Sequence, residues 1–404
     1  MVLKEKSSYK GLVKNILFKM SGINKRQQDF LVEIFGLFLA VRGRLNFLQF
    51  GRYGKRGEQG YRARFSKGFD FFSFNGELVA AQGGGRKIVA IDPSYVRKSG
   101  KSTPGTGYFW SGVAGSAKWG LEITGIAAVD LDARTAYHLE AVQTPGDLGT
   151  ETLLEHYTGL VAERAAQLLA VSRYVAADAY FSKKGFADGL ADAGLHLVSR
   201  LRDDADLLYL YNGPKGTGKG RPKKYAGKVR YDDLDGGHLA RTVREAGREV
   251  LHGTVRSKAL KRNINLVVVR TLKKGEWSHK LYFSTDLALS AAEILEYYGA
   301  RFQIEFLFRD AKQHAGLDHC QARGPEKLHF HWNASLTAVN LAKAAHWACA
   351  PKGERGAFSM ADVKTLYHNR LLLDRFLGEF GISPHLPKNK EKVRKLLSYG
   401  ARAA

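Results

Sequence analysis

The apolar positions at the start of the chain recur with a helical period. Gln28, Leu31, Ile34, Phe35, Phe38 and Leu39 follow Asn24, an amphipathic spacing that predicts a helix with Asn24 at its N-cap. Residues 1–85 read as helical throughout. Gln82 to Gly85 is a glycine-rich break, and the period changes after it. Residues 87–91 form a short apolar run that predicts a buried strand ending at Asp92. Residues 108–114 and 121–129 predict the next two strands. A helix is expected over 150–170, and a buried strand over 174–177 that ends at Asp178. A helix over 182–193 and a fifth strand over 196–200 follow. Three hairpin-linked strands, then helix, strand, helix, strand, predict a mixed α/β sheet with flanking helices.

Residues 203–280 interrupt this pattern. The segment 213–230 carries Lys215, Lys219, Arg221, Lys223, Lys224, Lys228 and Arg230 and no acidic residue. Strands are expected at 249–255, 264–272 and 279–283, which makes the segment a basic, β-rich insertion. A turn at Ser284-Thr285-Asp286 leads into one long helix over 290–315, and a second helix covers 326–347. The tail from Pro351 reads as helical and basic, with Lys388, Lys390, Lys392, Arg394 and Lys395. The pattern therefore divides the chain at 1–85, 86–202, 203–280, 281–350 and 351–404, with no internal repeat.

Charge narrows the partner. Lys and Arg number 63 against 39 Asp and Glu, a formal charge of +24. Such an excess repels itself unless a polyanion offsets it, and nucleic acid is the first candidate. A membrane is not expected. The longest apolar run, 30–41, is interrupted by Glu33 and falls short of the about 20 residues that a spanning helix needs. Residues 1–10 are polar and lack the apolar stretch of a signal peptide. The two cysteines, Cys320 and Cys349, are too few for a disulfide framework and fit a reducing cytoplasm. In the first segment Arg42, Arg44, Arg52, Lys55, Arg56, Arg62, Arg64 and Lys67 are interleaved with Tyr53, Tyr61 and Phe65. That mixture suits duplex contact; it also suits the solvated face of an ordinary helical domain.

Candidate chemistry sits at strand ends. Asp92 and Asp178 each close a short apolar strand, where side chains of an open α/β sheet reach the ligand-binding crevice. Two carboxylates there suit hard divalent cations, although Asp after a strand is also a common turn former or helix cap. In the helix over 290–315, Phe302, Ile304, Phe306, Leu307 and Phe308 spread apolar surface around the circumference, predicting burial. Tyr298, Arg301, Glu305 and Lys312 interrupt it within an arc of roughly 60° on a continuous helix. A buried charge persists when paired or bound to a ligand. Either Arg301 and Glu305 form an internal i,i+4 pair, or Glu305 holds metal while Arg301 and Lys312 receive phosphate.

The spacing Tyr298-x2-Arg301-x3-Glu305-x6-Lys312 resembles the Y-R-E-K signature of the fourth insertion-sequence family of bacterial DDE transposases. Tyr282-Phe283-Ser284-Thr285-Asp286 leads into it as in that family. Asp178-Ala179-Tyr180-Phe181 and Ile91-Asp92-Pro93-Ser94 resemble the two aspartate motifs. The likeness follows the whole chain in order, the terminal regions by character alone. It implies a ribonuclease-H-like catalytic core interrupted by the β-rich insertion, with helical ends for DNA-end binding, dimerisation or DNA contact. It implies two Mg2+ ions, replaceable by Mn2+, on Asp92, Asp178 and Glu305. Tyr298, Arg301 and Lys312 would grip the phosphate backbone of transposon-end DNA, and Lys215, Lys219, Arg221, Lys223 and Lys224 would line it. Terminal inverted repeats, cut-and-paste transposition, possible hairpin ends, a homodimeric synaptic complex and a cytoplasmic, nucleoid-associated bacterial setting follow from the same likeness. Trp277, in the insertion, matches a residue that in some relatives stacks on a flipped base; the alternative is a tryptophan in a small strand core. A catalytically idle DNA-binding regulator and a nuclease without strand transfer are the competing functions.

Three further patterns are weaker. Gly213-x4-Gly218-Lys219 is followed by Gly220 rather than the hydroxyl residue of a phosphate-binding loop. His314, His319, Cys320, His329 and His331 lack regular zinc spacing. Asp130 and Asp132 read as surface carboxylates at a turn.

Overall fold

Asn24 caps its helix as the period predicts. In a computed structural model, which describes residues 9–100, 102–214, 221–245, 247–348 and 350–402, its side chain accepts the Gln27 N–H at 3.0 Å. The N-terminal helices are α1 (Tyr9–Lys19), α2 (Lys25–Ala40), α3 (Phe47–Tyr53), α4 (Glu58–Phe65) and α5 (Phe71–Ala81). Two of the aromatics read as DNA-facing are core residues. Tyr61 and Phe65 are fully buried and pack against Phe30 and Phe50, with Phe65 also against Phe330. A buried aromatic of this size stabilises by about 1.5–3 kcal/mol, so packing explains them; Tyr53 is exposed.

The chain forms two compact units: residues 1–85, 93–147 and 303–404, and residues 86–92 and 148–302. Strand β1 (Lys87–Arg97) passes from the second into the first. Asp92 is thus in mid-strand rather than at its end. The apolar run stops at Ile91 and Pro93 lacks an N–H for a ladder, which reads as a stop, yet Ser94 and Val96 continue the strand as buried positions.

In the first unit β2 (Gly107–Ser111) and β4 (Thr135–Thr144) pair antiparallel with β3 (Ser116–Asp130). The sequence pattern missed β4, because buried Thr135, His138 and Thr144 break its apolar run. Helices α10 (Gln303–His314), α11 (Pro325–His346), α12 (Met360–Glu379) and α13 (Pro387–Leu397) complete this unit.

In the second unit, the first half of β1 pairs parallel with β5 (Tyr174–Ala176), which pairs parallel with β6 (His196–Leu201). Helices α6 (Leu153–Glu163), α7 (Ala165–Leu169), α8 (Lys184–Asp192) and α9 (Ala291–Ala300) belong here. Thr152 and Glu155 form a capping box at the start of α6. The β-rich stretch extends the same sheet: β12 (Glu276–Ser284) pairs antiparallel with β6, then β11 (Arg262–Lys273), β10 (Arg248–Ser257), β7 (Leu207–Leu210) and β8 (Tyr225–Lys228) follow, with β9 (Ala240–Glu245) on β10. The fold is α/β with a mixed sheet. The strand order β3-β1-β5-β6, with β4 on β3, is the one expected of a ribonuclease-H-like core.

The single long helix expected over 290–315 is two. Helix α9 ends at Ala300, beside the poor helix former Gly299, and α10 begins at Gln303. Nor is it buried all round, for Phe302 is 46% and Phe306 44% exposed. The arc computed for an unbroken helix therefore does not describe Tyr298, Arg301, Glu305 and Lys312.

Candidate active site

Strand register brings the two aspartates together. Val89 pairs with Val175 and Ala90 with Ala176, and the same step along both strands carries Asp92 onto Asp178. Adjacent strands lie about 4.8 Å apart, so each aspartate follows, by the same two residues, a position paired with the other's strand. The extended course continues past β5, since the Ala177 N–H donates to Val198 O at 3.2 Å. Asp178 also caps the single 3-10 turn Ala179–Phe181, its Oδ1 accepting the Tyr180 N–H at 2.9 Å. Its carbonyl accepts the Ser199 hydroxyl at 2.8 Å. Turn former and candidate ligand are the same residue, and the cap holds the carboxylate in place.

Arg301 follows α9 and is 5% exposed. Its Nη1 lies 3.3 Å from Asp92 Oδ1, so the guanidinium pairs with the first aspartate. Its charge sits 5.9 Å from the Tyr298 ring and 4.7 Å from the Phe302 ring. Tyr298 in turn packs against Tyr282, ring centroids 5.0 Å apart. Burial holds the Tyr298 phenol above its ordinary value; Arg301 and Arg200 pull it down, and Tyr282 and Asp178 push it up. Asp92, Asp178, Tyr298 and Arg301 are thus gathered in the second unit. Sequence reading missed Arg200, Ser199 and Tyr282 as their companions. Arg200 was legible in principle, standing near the end of the strand beside β5.

Glu305 and Lys312 belong to α10 in the first unit. Glu305 is exposed. Lys312 Nζ donates to Ser94 Oγ at 2.9 Å and to Tyr95 O at 2.7 Å, holding the second half of β1 just past Asp92. Among the described residues no group of three or more His, Cys, Asp or Glu side chains is placed to hold a metal ion. Trp277 lies near the β11–β12 turn, opposite Leu272. It is 41% exposed rather than in a small core, with the Arg270 guanidinium 4.9 Å from its ring. Lys215 and Lys219 lie outside the described residues, while Arg221, Lys223 and Lys224 are exposed. Asp130 Oδ1 accepts the Ala133 N–H at 2.9 Å, as a turn carboxylate does, but it is buried rather than at the surface, whereas Asp132 is exposed.

Comparison with known proteins adds the following. A solved structure of the piggyBac transposase synaptic complex with hairpin DNA aligns with 99% of this chain and 84% of its own, at 14% identity and a TM-score of 0.41. No curated protein matches in sequence. The sequence model of the family described as "Transposase DDE domain" matches residues 83–341. That match spans both aspartates, Arg301 and Glu305, and the chain belongs to the DDE transposase family.

Proposed function

We propose that this chain binds the terminal inverted repeats of a mobile element and catalyses Mg2+-dependent strand cleavage and strand transfer. The observation that supports the reading is the parallel pairing of β1 with β5, with Asp92 and Asp178 each two residues beyond the paired Ala90 and Ala176, and the buried Arg301 on Asp92. The donor set fits a hard divalent cation, since it is all oxygen and anionic. Asp92 and Asp178 would hold the cations, with Glu305 as third carboxylate. Bound Mg2+, or Mn2+ in its place, neutralises charge on the reacting phosphoryl group.

The chain's own groups act by positioning. Arg301 has a rigid fork that suits a phosphate diester and already stands beside Asp92. Tyr298 adds a phenol with its proton retained. Lys312 is a further phosphate contact and, through Ser94 and Tyr95, fixes the strand that bears Asp92. Trp277 offers an exposed ring on which a displaced base can stack, the step that hairpin-ended excision requires. Arg221, Lys223 and Lys224 track the backbone, as does the basic N-terminal segment. Two copies would synapse two DNA ends.

The test uses purified full-length chain, duplexes carrying the ends of its own element, and Mg2+, with cut positions mapped on both strands. Cleavage at the element boundary, lost with a chelator, is expected. Binding of the ends without cleavage under any divalent cation would sink the enzyme reading and leave a DNA-binding regulator. Cleavage without joining to target DNA would leave a nuclease.

A further inference from the structure

We propose that the first unit contains a second phosphate-binding site, away from the carboxylates, in a cavity of about 260 Å³ whose lining includes Arg42, Gln313, His314, His319, Lys364 and Thr365. Its natural occupant is a backbone phosphate of bound DNA, an assignment that rests on the DNA-processing function.

The cavity collects positive charge without a matching acid. Lys364 is 8% exposed, and among the described residues its ammonium has no carboxylate partner. One of its three donors is used by Phe38 O, at 2.7 Å. Burial, and then the like charge of Arg42, hold its ammonium down to about 7. Arg42 Nη2 donates to Thr365 Oγ1 at 2.8 Å, which fixes the guanidinium at the same cavity. His319 Nδ1 accepts the Leu45 N–H at 3.0 Å, so in the neutral ring the proton sits on Nε2, a further donor. Burial lowers the pKa of His314, and the acid that acts on it, Asp310, pairs with Arg309 at 3.3 Å.

A desolvated cation beside another cation is costly, and an anion reverses the sign of that interaction. A tetrahedral oxyanion accepts hydrogen bonds from several directions, whereas a carboxylate presents its acceptors in one plane. Donors here come from the ends of α2 and α10, from the loop around His319 and from the first turns of α12. The cavity far exceeds the ~30 Å³ share of one water. A purely structural role for Lys364 is also visible. Together with His368, whose Nδ1 lies 3.1 Å from Ala40 O, it closes the C-terminal carbonyls of α2. That role predicts stability without any response to phosphate.

The experiment compares thermal unfolding of the full chain in sodium phosphate and in sodium chloride at equal ionic strength. Phosphate is expected to raise the Tm of the wild type by a few degrees. The rise should fall by at least half in Lys364→Met and in Arg42→Gln. Arg42 is exposed, and its replacement leaves the α2 cap intact, so that variant stands if Lys364→Met fails to fold. An equal rise in the wild type and Arg42→Gln overturns the pocket. The second arm measures duplex affinity against salt. Arg42→Gln should lower affinity several-fold and the salt slope by about one, and saturating duplex should abolish the phosphate response. A pocket that responds to phosphate while duplex affinity and salt slope stay unchanged binds free phosphate, and overturns DNA as its occupant. Absent end cleavage with the phosphate response intact would count against the enzyme reading alone.

Discussion

Helix α11 and the candidate site both place polar side chains among apolar ones, and they do so in opposite ways. Along α11, His331, Asn333, Ser335, Thr337, Asn340 and Lys343 are all buried. Nearly every partner is neutral. Asn333 Nδ2 donates to Ala141 O and His329 O, both at 2.9 Å, and its Oδ1 accepts the Ala141 N–H at 2.8 Å. Asn340 donates to His138 O at 2.8 Å and to Asn75 Oδ1 at 2.9 Å. Lys343 donates to Ala136 O at 2.8 Å. These groups complete the backbone of β4, which would otherwise be buried with bonds unmade. In the second unit the buried Arg301 has a charged partner, the carboxylate of Asp92. A neutral group bonded to backbone closes a fold. A charged group held against another charge is the arrangement that a charged ligand can enter and rearrange.

The strongest way to break this comparison is to neutralise one strand carboxylate. Asp92→Asn keeps the shape of β1 and removes the charge beside Arg301. Magnesium-dependent cleavage of end DNA should fall on the order of 10³-fold, while affinity for the uncut end stays within a few-fold. Wild-type cleavage by Asp92→Asn or by Asp178→Asn would remove the carboxylates from the chemistry.

The next test falls on α11. Asn333→Ala leaves the Ala141 N–H and carbonyl buried without partners, at a cost of about 2–4 kcal/mol. Denaturant unfolding should show that loss. Cleavage per folded molecule should stay near wild type at low temperature, and a fall as deep as that of Asp92→Asn would erase the distinction between the two polar sets.

The sequence carried the strand-borne half of the site further than the helical half. Residues 87–91 and 174–177 announced themselves as strands by composition, and position after them was enough to select Asp92 and Asp178. Their side-by-side register could not be read, because pairing is a long-range choice that no local pattern encodes. The helix was misjudged for a physical reason. Periodicity alone cannot register a two-residue interruption at Arg301 and Phe302, so it places the polar stripe on a straight cylinder. Strand β4 was hidden because its core face includes His138 and two threonines, apolar in burial but polar in type. Tyr61 and Phe65 read as part of a mixture that suits duplex contact or a solvated face, since composition cannot tell which face of a short helix is inward. The N-cap at Asn24 was local, and that local signal survives folding unchanged.

The buried histidines of the neutral set give a pH test of it. Burial lowers His138 and His331 from 6.5 to about 4 each. Between those values the unfolded chain binds more protons than the folded one, so stability rises with pH across the window and is lost as pH falls from 6.5 towards 4. Unfolding near pH 5 should take up nearly two protons from this pair. Chemical denaturation at pH 7, 6 and 5 measures the slope, and His138→Gln should remove about half of it. Stability that is flat from pH 7 to 5 would mean that these rings are not held neutral by burial.

The smallest effect on stability is expected at Trp277, and it sharpens the comparison from outside both sets. The ring is exposed at a strand end and touches the Arg270 guanidinium, so Trp277→Ala should cost less than about 1 kcal/mol. A group whose removal costs the fold so little, yet which presents a large apolar face beside a cation, is suited to a flat partner. Cleavage should therefore slow on intact ends and change less on ends already cut, because a pre-cut end no longer depends on a displaced base. Gel analysis of the two substrates side by side measures the ratio. Equal slowing on both would move Trp277 from base stacking to general DNA contact, and no slowing would leave it a surface tryptophan packed by Arg270.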